Sequence, residues 1–120
     1  MIFVTGGAGF IGSNFVHYLS GKGYDDIVIL DKLTYAGDMD NLYPLEYPVK
    51  GVDIADEYRL AELFARYKPK AIFHFAAETH VDNSISDVYP FVDTNVIGTV
   101  NLLNLSVKHE VDRFHHISTD

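Results

Sequence analysis

The chain has 120 residues, of which 48% are hydrophobic and 22% charged, a composition typical of one ordinary globular domain. It contains no cysteine, which excludes disulfides, thiol catalysis and cysteine-based metal centres. Nine basic residues against seventeen acidic ones give a net charge of −8, which argues against nucleic-acid binding, because such proteins cluster basic residues along the phosphates. The sequence shows neither a secretory leader pattern nor an apolar run near the roughly 18 residues of a membrane span, so we expect a cytoplasmic protein without membrane contact.

The first part of the chain predicts a strand, a glycine-rich turn, a helix and a second strand. Residues 1–5 form a short apolar run that stops at a glycine cluster. From residue 10, apolar positions recur four apart until two glycines end the pattern, which predicts a helix. Residues 27–30 form a continuous aliphatic run, typical of a strand buried on both faces of a parallel sheet. Residues 32–48 hold three tyrosines and two prolines without a sustained period, so we expect a long loop with room for one helical turn.

The rest of the chain continues the alternation of strands and helices. Residues 49–52 predict a weak third strand, and residues 60–67 carry the i, i+3, i+4, i+7 apolar pattern of a helix that ends before Pro69. Residues 71–75 predict the fourth strand and residues 113–118 the fifth. Between them, a valine-rich stripe at residues 92–107 predicts a helix that begins near Val88, and we interpret the stripe as core rather than interface. The alternation indicates an α/β fold with one parallel sheet covered on both faces.

The glycine-rich turn fits two registers of a dinucleotide-binding motif. Gly7, Gly9 and Gly12 match G-x-G-x-x-G, whereas Gly6, Gly9 and Gly12 match G-x-x-G-x-x-G. Either spacing permits a tight turn and a close approach of the backbone to a pyrophosphate, which the N–H groups of the helix N-terminus then bind. The motif follows a predicted strand and opens a predicted helix, and this is the structural context that a dinucleotide site requires.

An acidic residue after the second strand supports the same hypothesis. Asp31 lies 19 residues beyond Gly12, where a carboxylate accepts hydrogen bonds from the adenosine ribose and repels a 2′-phosphate. We therefore predict NAD as the cofactor in preference to NADP, although the neighbouring Lys32 weakens that preference slightly. Together these features predict a Rossmann-like, doubly wound parallel sheet of about five strands in the order 3-2-1-4-5, with residues 1–120 as its NAD-binding domain.

The six histidines do not form a metal-binding pattern. His74 lies within a predicted strand, and the adjacent His115 and His116 point to opposite faces of another strand. The sequence contains no H-E-x-x-H motif. We predict no metal site.

Four motifs together resemble one enzyme family. They are the glycine turn, D-K-L-T-Y-A-G at residues 31–37, F-A-A-E-T-H-V-D at residues 75–82 and H-H-I-S-T-D at residues 115–120. The chain resembles the extended short-chain dehydrogenases/reductases along its whole length, and within them it is similar to the dTDP-glucose 4,6-dehydratases. The resemblance implies a homodimeric lyase of deoxysugar biosynthesis that converts a nucleotide-sugar substrate, dTDP-glucose, to dTDP-4-keto-6-deoxyglucose with bound NAD.

The resemblance also implies roles for individual residues. The expected contacts with NAD are Gly6, Gly9, Phe10, Ile11, Gly12, Asp31, Lys32, Leu33, Thr34, Asp53, Ile54, Phe75, Ala76, Ala77, Glu78 and Thr94. The sugar nucleotide would contact Thr79, His80 and Thr119. The catalytic residues would be Thr119, which hydrogen-bonds the hexose, and Asp120, the acid that protonates the departing C6 hydroxyl.

The implied reaction needs more groups than these residues supply. Hydride leaves C4 for NAD, water is lost across C5 and C6, and hydride returns to C6, so bases are required at C5 and at the 4-hydroxyl in addition to the acid. The family has a glutamate after the position of Asp120 and a Tyr-x-x-x-Lys pair further on, and we expect both to be absent from this chain. We therefore expect the N-terminal part of a longer enzyme, inactive alone. Alternatives are a sugar-nucleotide 4-epimerase or decarboxylase of the same superfamily, and an NAD-binding module without turnover.

Overall fold

Five parallel strands form the centre of the computed structural model, which describes residues 1–33, 38–75 and 93–117. The strands are β1 Ile2–Thr5, β2 Ile27–Asp31, β3 Val49–Gly51, β4 Ala71–His74 and β5 Arg113–His116. They pair side by side in the order β3-β2-β1-β4-β5, which confirms the predicted order.

Helices cover both faces of the sheet, as the sequence predicts. The helical segments in chain order are α1 Phe10–Gly21, the 3₁₀ helix Asp38–Leu42, α2 Glu57–Tyr67, a π-helical turn Asp93–Gly98 and α3 Thr99–Lys108. Helix α1 and the 3₁₀ helix pack on one face, around a cluster that includes Val4, Ile27 and Ile29. Helices α2 and α3 pack on the other face, around Phe3 and Ile72. Each helix in the described ranges is too short or too polar to cross a bilayer.

Helix α2 follows directly from its sequence. Asp56 caps its N-terminus by accepting a hydrogen bond from the Arg59 N–H at 3.1 Å, which satisfies one of the donors that a helix start leaves unpaired. Its buried residues include Leu60, Leu63 and Phe64, the apolar stripe that predicts it. The helix ends where Lys68 adopts a left-handed conformation with a φ of +50°.

The valine-rich stripe of α3 is exposed, so its interpretation as core is wrong for the described residues. Val100 and Leu103 are about half exposed, and Val107 is 81% exposed. The helix instead buries Asn101, Leu102, Leu105 and Ser106. Two of these are polar and hydrogen-bonded internally, with Asn101 donating to the Ile54 carbonyl and Ser106 to the Leu102 carbonyl. A pattern that counts apolar residues therefore selects the wrong face.

The strand register brings the predicted site residues to one edge of the sheet. Thr5 pairs with Leu30 on one side and with His74 on the other, so β1, β2 and β4 end at the same level. Strands β2 and β3 lie on one side of β1, and strands β4 and β5 lie on the other side. Such a switch point at the carboxyl edge of a parallel sheet is where open α/β folds bind ligands.

Candidate dinucleotide-binding site

The glycine turn folds tightly onto the first turn of α1. Gly6 has a φ of +69°, a left-handed conformation that glycine adopts without strain. Its carbonyl accepts the Gly9 N–H at 3.1 Å and faces Gly12, where a Cβ atom would lie 2.2 Å from that oxygen. At Gly9 the nearest atom to a Cβ would be the same oxygen at 3.4 Å, an ordinary contact. The turn thus requires glycine at 6 and 12 and leaves the Gly9 side open to a ligand.

The N-terminus of α1 has the features of an anion-binding site. Gly9 is its N-cap residue, and within these described residues no side chain caps the helix and its first turn holds no acidic residue. The N–H groups of that turn, together with the helix dipole, favour a phosphate. Phe10 and Ile11 follow with 77% and 64% of their surface exposed. A pyrophosphate therefore fits this position, with two apolar side chains beside it.

Asp31 joins the glycine turn to the end of β2. Its side chain is buried, Oδ2 accepts the Ala8 N–H at 3.0 Å, and Oδ1 accepts the Leu33 N–H at 2.8 Å. A carboxylate offers about four acceptor positions, so capacity for the two hydroxyls of a ribose remains. Leu33 adopts a left-handed φ of +58° in the loop that Asp31 holds.

The loop after β3 adds two of the predicted residues. Asp53 receives the Ala55 N–H on Oδ1 at 3.0 Å, and its Oδ2 lies 3.4 Å from Lys32 Nζ. Ile54 is only 3% exposed and packs against the π-helical turn, where a Cβ on Gly98 would lie 2.4 Å from Ile54 Cγ1. The Ile54 side chain therefore supports this loop from within the core, while the Asp53 side chain faces outwards.

Asn41 is a site residue that the sequence does not reveal. Its side-chain Nδ2 group donates to the Ala8 carbonyl at 2.9 Å, and its backbone carbonyl accepts from His17 Nε2 at 2.9 Å. The 3₁₀ helix thereby fastens the glycine turn to α1. No periodicity marks Asn41, because it lies in a short 3₁₀ helix and acts through tertiary contacts.

His74 lies at the centre of a buried hydrogen-bond network. Thr5 Oγ1 is 2.6 Å from His74 Nδ1, and Thr99 Oγ1 is 3.0 Å from His74 Nε2. Thr99 donates its hydroxyl hydrogen to the Asn95 carbonyl at 3.1 Å. In its contact with His74 the Thr99 oxygen is therefore the acceptor, and Nε2–H is the donor. Nδ1 then accepts from the Thr5 hydroxyl, which assigns a neutral Nε2–H tautomer. The network ties the ends of β1 and β4 to the start of α3.

The surroundings of His74 favour its neutral form. Burial, and to a smaller extent repulsion from His116, together lower the pKa of His74 from 6.5 to about 4. The two imidazole rings stack with their centroids 4.9 Å apart. On the opposite face of the sheet His115 stacks on Phe73 at 4.7 Å, so the adjacent histidines of β5 do face opposite ways.

The remaining predicted residues fall mostly outside the described part of the chain. Phe75 is described: its N–H donates to the Thr5 carbonyl at 2.9 Å, and its ring lies 5.3 Å from that of Phe15. The side chain of Thr94 belongs to the part that the structure does not describe. The others outside the described residues are Thr34, Ala76, Ala77, Glu78, Thr79, His80, Thr119 and Asp120.

One Tyr-x-x-x-Lys spacing does occur, contrary to expectation, at Tyr18 and Lys22. Lys22 Nζ lies 5.6 Å from the centroid of the exposed Tyr18 ring. Tyr18 belongs to the last turn of α1, about 12 Å along the helix axis from Phe10. The pair is thus at the end of α1 that points away from the glycine turn.

Elsewhere the described residues offer little reactive chemistry. Within the ranges 1–33, 38–75 and 93–117, no three acidic or histidine side chains cluster as they would around a metal ion. A shallow cavity of about 290 Å³ opens between the 3₁₀ helix and β3, with Ile29, Leu42, Tyr43 and Val49 among its lining. It lies at the β3 edge, and none of the glycine-turn residues line it.

Comparison with known proteins identifies the family. Residues 3–120 match the family model described as GDP-mannose 4,6 dehydratase. The chain belongs to this family. The dTDP-glucose 4,6-dehydratase of Neisseria meningitidis is 46% identical over 132 aligned residues, which cover 99% of the chain and 37% of that relative. This match confirms the resemblance to the dTDP-glucose 4,6-dehydratases, and the chain spans less than two-fifths of the relative's length.

Two solved structures of family relatives share the fold. DesIV from Streptomyces venezuelae, a dTDP-glucose 4,6-dehydratase with NAD and TYD bound, superimposes with a TM-score of 0.82 at 43% identity, over 94% of the chain and 37% of DesIV. The UDP-glucose 4-epimerase of Thermotoga maritima, solved with UDP-glucose, gives a TM-score of 0.88 at 36% identity, over 98% of the chain and 37% of the epimerase. The family scaffold therefore occurs in both dehydratases and epimerases.

Proposed function

We propose that the chain is the NAD-binding part of a dTDP-glucose 4,6-dehydratase. The observation that carries the proposal is the contact between the glycine turn and the buried Asp31, whose Oδ2 lies 3.0 Å from the Ala8 nitrogen. It places an anion-binding helix start beside a ribose-binding carboxylate at the switch point of the sheet. The 46% identity to a dTDP-glucose 4,6-dehydratase supports the substrate class.

The described residues would hold NAD by its adenosine half. The glycine turn and the start of α1 would bind the pyrophosphate, with Phe10 and Ile11 over it. Asp31 would accept the ribose hydroxyls, and the loop that carries Asp53 would meet the adenine. When bound, NAD supplies a hydride acceptor that returns the hydride later in the same turnover.

The nicotinamide and sugar contacts rest on the resemblance. We assign Phe75, Ala76, Ala77, Glu78 and Thr94 to the nicotinamide side, and Thr34 to the adenosine ribose. Thr79, His80 and Thr119 are assigned to the sugar nucleotide.

Asp120 is the proposed acid that protonates the leaving C6 hydroxyl, and Thr119 is proposed to orient the hexose. The position of β5 supports this assignment, because the Ile117 N–H donates to the His74 carbonyl at 3.1 Å. The chain thus leaves β5 at the same edge as the glycine turn. We propose that the two bases of the reaction, which the family provides as a glutamate and a Tyr-x-x-x-Lys pair, belong to a part of the enzyme that this chain does not include.

The exposed apolar stripe along the π-helical turn and α3 supports a homodimeric assembly. Val96, Val100, Leu103 and Val107 recur at helical spacing, and each is at least 45% exposed. An exposed apolar stripe of this kind is typical of a surface that takes part in protein–protein contact. We propose that it packs against a second copy in the complete enzyme.

Product analysis tests the activity. The protein is incubated with NAD and either dTDP-glucose or UDP-glucose, and the masses of the products are measured by mass spectrometry. A dehydratase yields a nucleotide sugar lighter by one water, whereas an epimerase yields an isomer of unchanged mass. We expect loss of water from dTDP-glucose by the protein that includes the missing bases. An isomer would favour the epimerase, and NAD binding without any product from that longer protein would favour a non-catalytic module.

A further inference from the structure

Lys32 and Asp53 form an ion pair across two loops of the candidate site. Lys32 follows β2 directly and Asp53 follows β3, and Nζ of the lysine lies 3.4 Å from Oδ2 of the aspartate. Pairing of Asp31 with Gly51 and a hydrogen bond from the Val52 N–H to the Asp31 carbonyl at 3.0 Å place the two loops side by side. The Lys32 ammonium group therefore follows the Asp31 carboxylate in sequence and forms an ion pair with the Asp53 carboxylate of the neighbouring loop.

The Asp53 carboxylate is held in place independently of Lys32. Its Oδ1 accepts the Ala55 N–H at 3.0 Å, and the next residue, Ile54, is anchored in the core at 3% exposure. Oδ2 is thereby left to bind the lysine. A fixed acceptor restrains a long, flexible side chain at a smaller entropic cost than a mobile one.

This arrangement bears on the choice between NAD and NADP. The 2′-phosphate of NADP would approach the ribose-binding carboxylate of Asp31, which repels it, while a free lysine beside it would attract it. Asp53 neutralises that lysine and restrains its position. We propose that Asp53 is a specificity-determining residue, which withholds Lys32 from a 2′-phosphate and so strengthens the preference for NAD. The proposal rests on NAD binding as proposed above.

The expected effect is modest because both side chains are partly exposed, at 43% for Lys32 and 36% for Asp53. Exposed ion pairs contribute little free energy, so we expect a change in NADP affinity of about two- to fivefold. Asp31 would remain the main determinant, since its carboxylate would contact the ribose directly. Asp53 adds to this effect by acting on Lys32.

The test compares Asp53→Asn with a charge-matched control. Calorimetric titration gives the dissociation constants of NAD and NADP for each protein, and the ratio of the two constants is the readout. Any loss of an adenine contact affects both dinucleotides alike and cancels in the ratio. We expect the ratio of NADP to NAD dissociation constants to drop about two- to fivefold in Asp53→Asn. Asp56→Asn removes the same charge three residues away, keeps an N-cap and should leave the ratio unchanged.

A double-mutant cycle shows whether Asp53 acts through Lys32. In a Lys32→Gln background, Asp53→Asn should no longer change the ratio. An unchanged ratio in the single Asp53→Asn variant, or an equal drop in the Lys32→Gln background, would overturn the proposal while leaving NAD binding intact. A wild-type protein that binds neither dinucleotide would overturn the proposed function and this inference with it.

Discussion

Replacing His74 by leucine should remove a large part of the pH dependence of stability between pH 4 and 6.5. In the native chain burial, with a smaller contribution from His116, lowers the pKa of His74 to about 4, whereas the unfolded chain has the ordinary value of 6.5. Between these values the unfolded state binds more protons, so native stability falls as the pH falls through this window. The stabilisation is complete above pH 6.5 and lost near pH 4. Leucine has no such titration.

The magnitudes follow from the contacts. At 1.36 kcal/mol per pH unit, the lowered pKa corresponds to about 3 kcal/mol between the two ends of the window. At neutral pH the leucine variant loses the hydrogen bonds to Thr5 and Thr99, a cost of about 2–3 kcal/mol. The wild type should therefore be more stable by about that amount at pH 7.5, and the advantage should vanish near pH 4.

Urea unfolding at four pH values between 4 and 7.5 measures both curves. Titration of the other groups is common to the two proteins and cancels in the difference. His116→Gln serves as a control, because burial is the larger cause of the lowered pKa and most of the pH dependence should persist in that variant. A difference between wild type and His74→Leu that stays constant across the window would refute the neutral, buried histidine.

Three further substitutions test the turn, its support and the exposed stripe. Gly12→Ala should lower stability by a few kcal/mol and abolish NAD binding, because its Cβ would lie 2.2 Å from the Gly6 carbonyl oxygen. Gly21→Ala is the control, because a Cβ there would lie in open space, and thermal unfolding should show a melting temperature close to that of the wild type. Equal melting temperatures for the two variants would contradict the packing of the glycine turn. Asn41→Ala removes the 2.9 Å bond to the Ala8 carbonyl and should weaken NAD binding about two- to tenfold by calorimetry, so unchanged affinity would exclude a supporting role. Leu103→Lys should leave the fold intact and yield monomers in light scattering, and persistence of dimers would count against the proposed interface.

Much of the fold follows from local sequence patterns. The aliphatic run 27–30, the glycine turn and the stripe of α2 each encode an element through the spacing of neighbouring residues. Parallel pairing then follows from the alternation of strands and helices. Asp31 could be assigned to the candidate site because its spacing from the glycine motif and its place at the end of a predicted strand both indicate the same position.

The features that the sequence does not reveal depend on contacts between distant residues. His74 looks like an isolated polar residue in a strand until Thr5 and Thr99 approach it from other elements. Asn101 occupies a core position that hydrophobic patterns exclude, because the Ile54 carbonyl pairs with it. For the same reason the exposed and buried faces of α3 cannot be separated by counting apolar residues.

Titration of the wild-type protein with NAD and with NADP shows whether the glycine turn and Asp31 form an NAD site. Like charges in direct contact cost several kcal/mol, so NADP should bind at least about tenfold more weakly than NAD, a difference of about 1.4 kcal/mol or more. Saturable binding of NAD with that preference is the predicted result. Absence of NAD binding, or equal affinity for the two dinucleotides, would contradict the account.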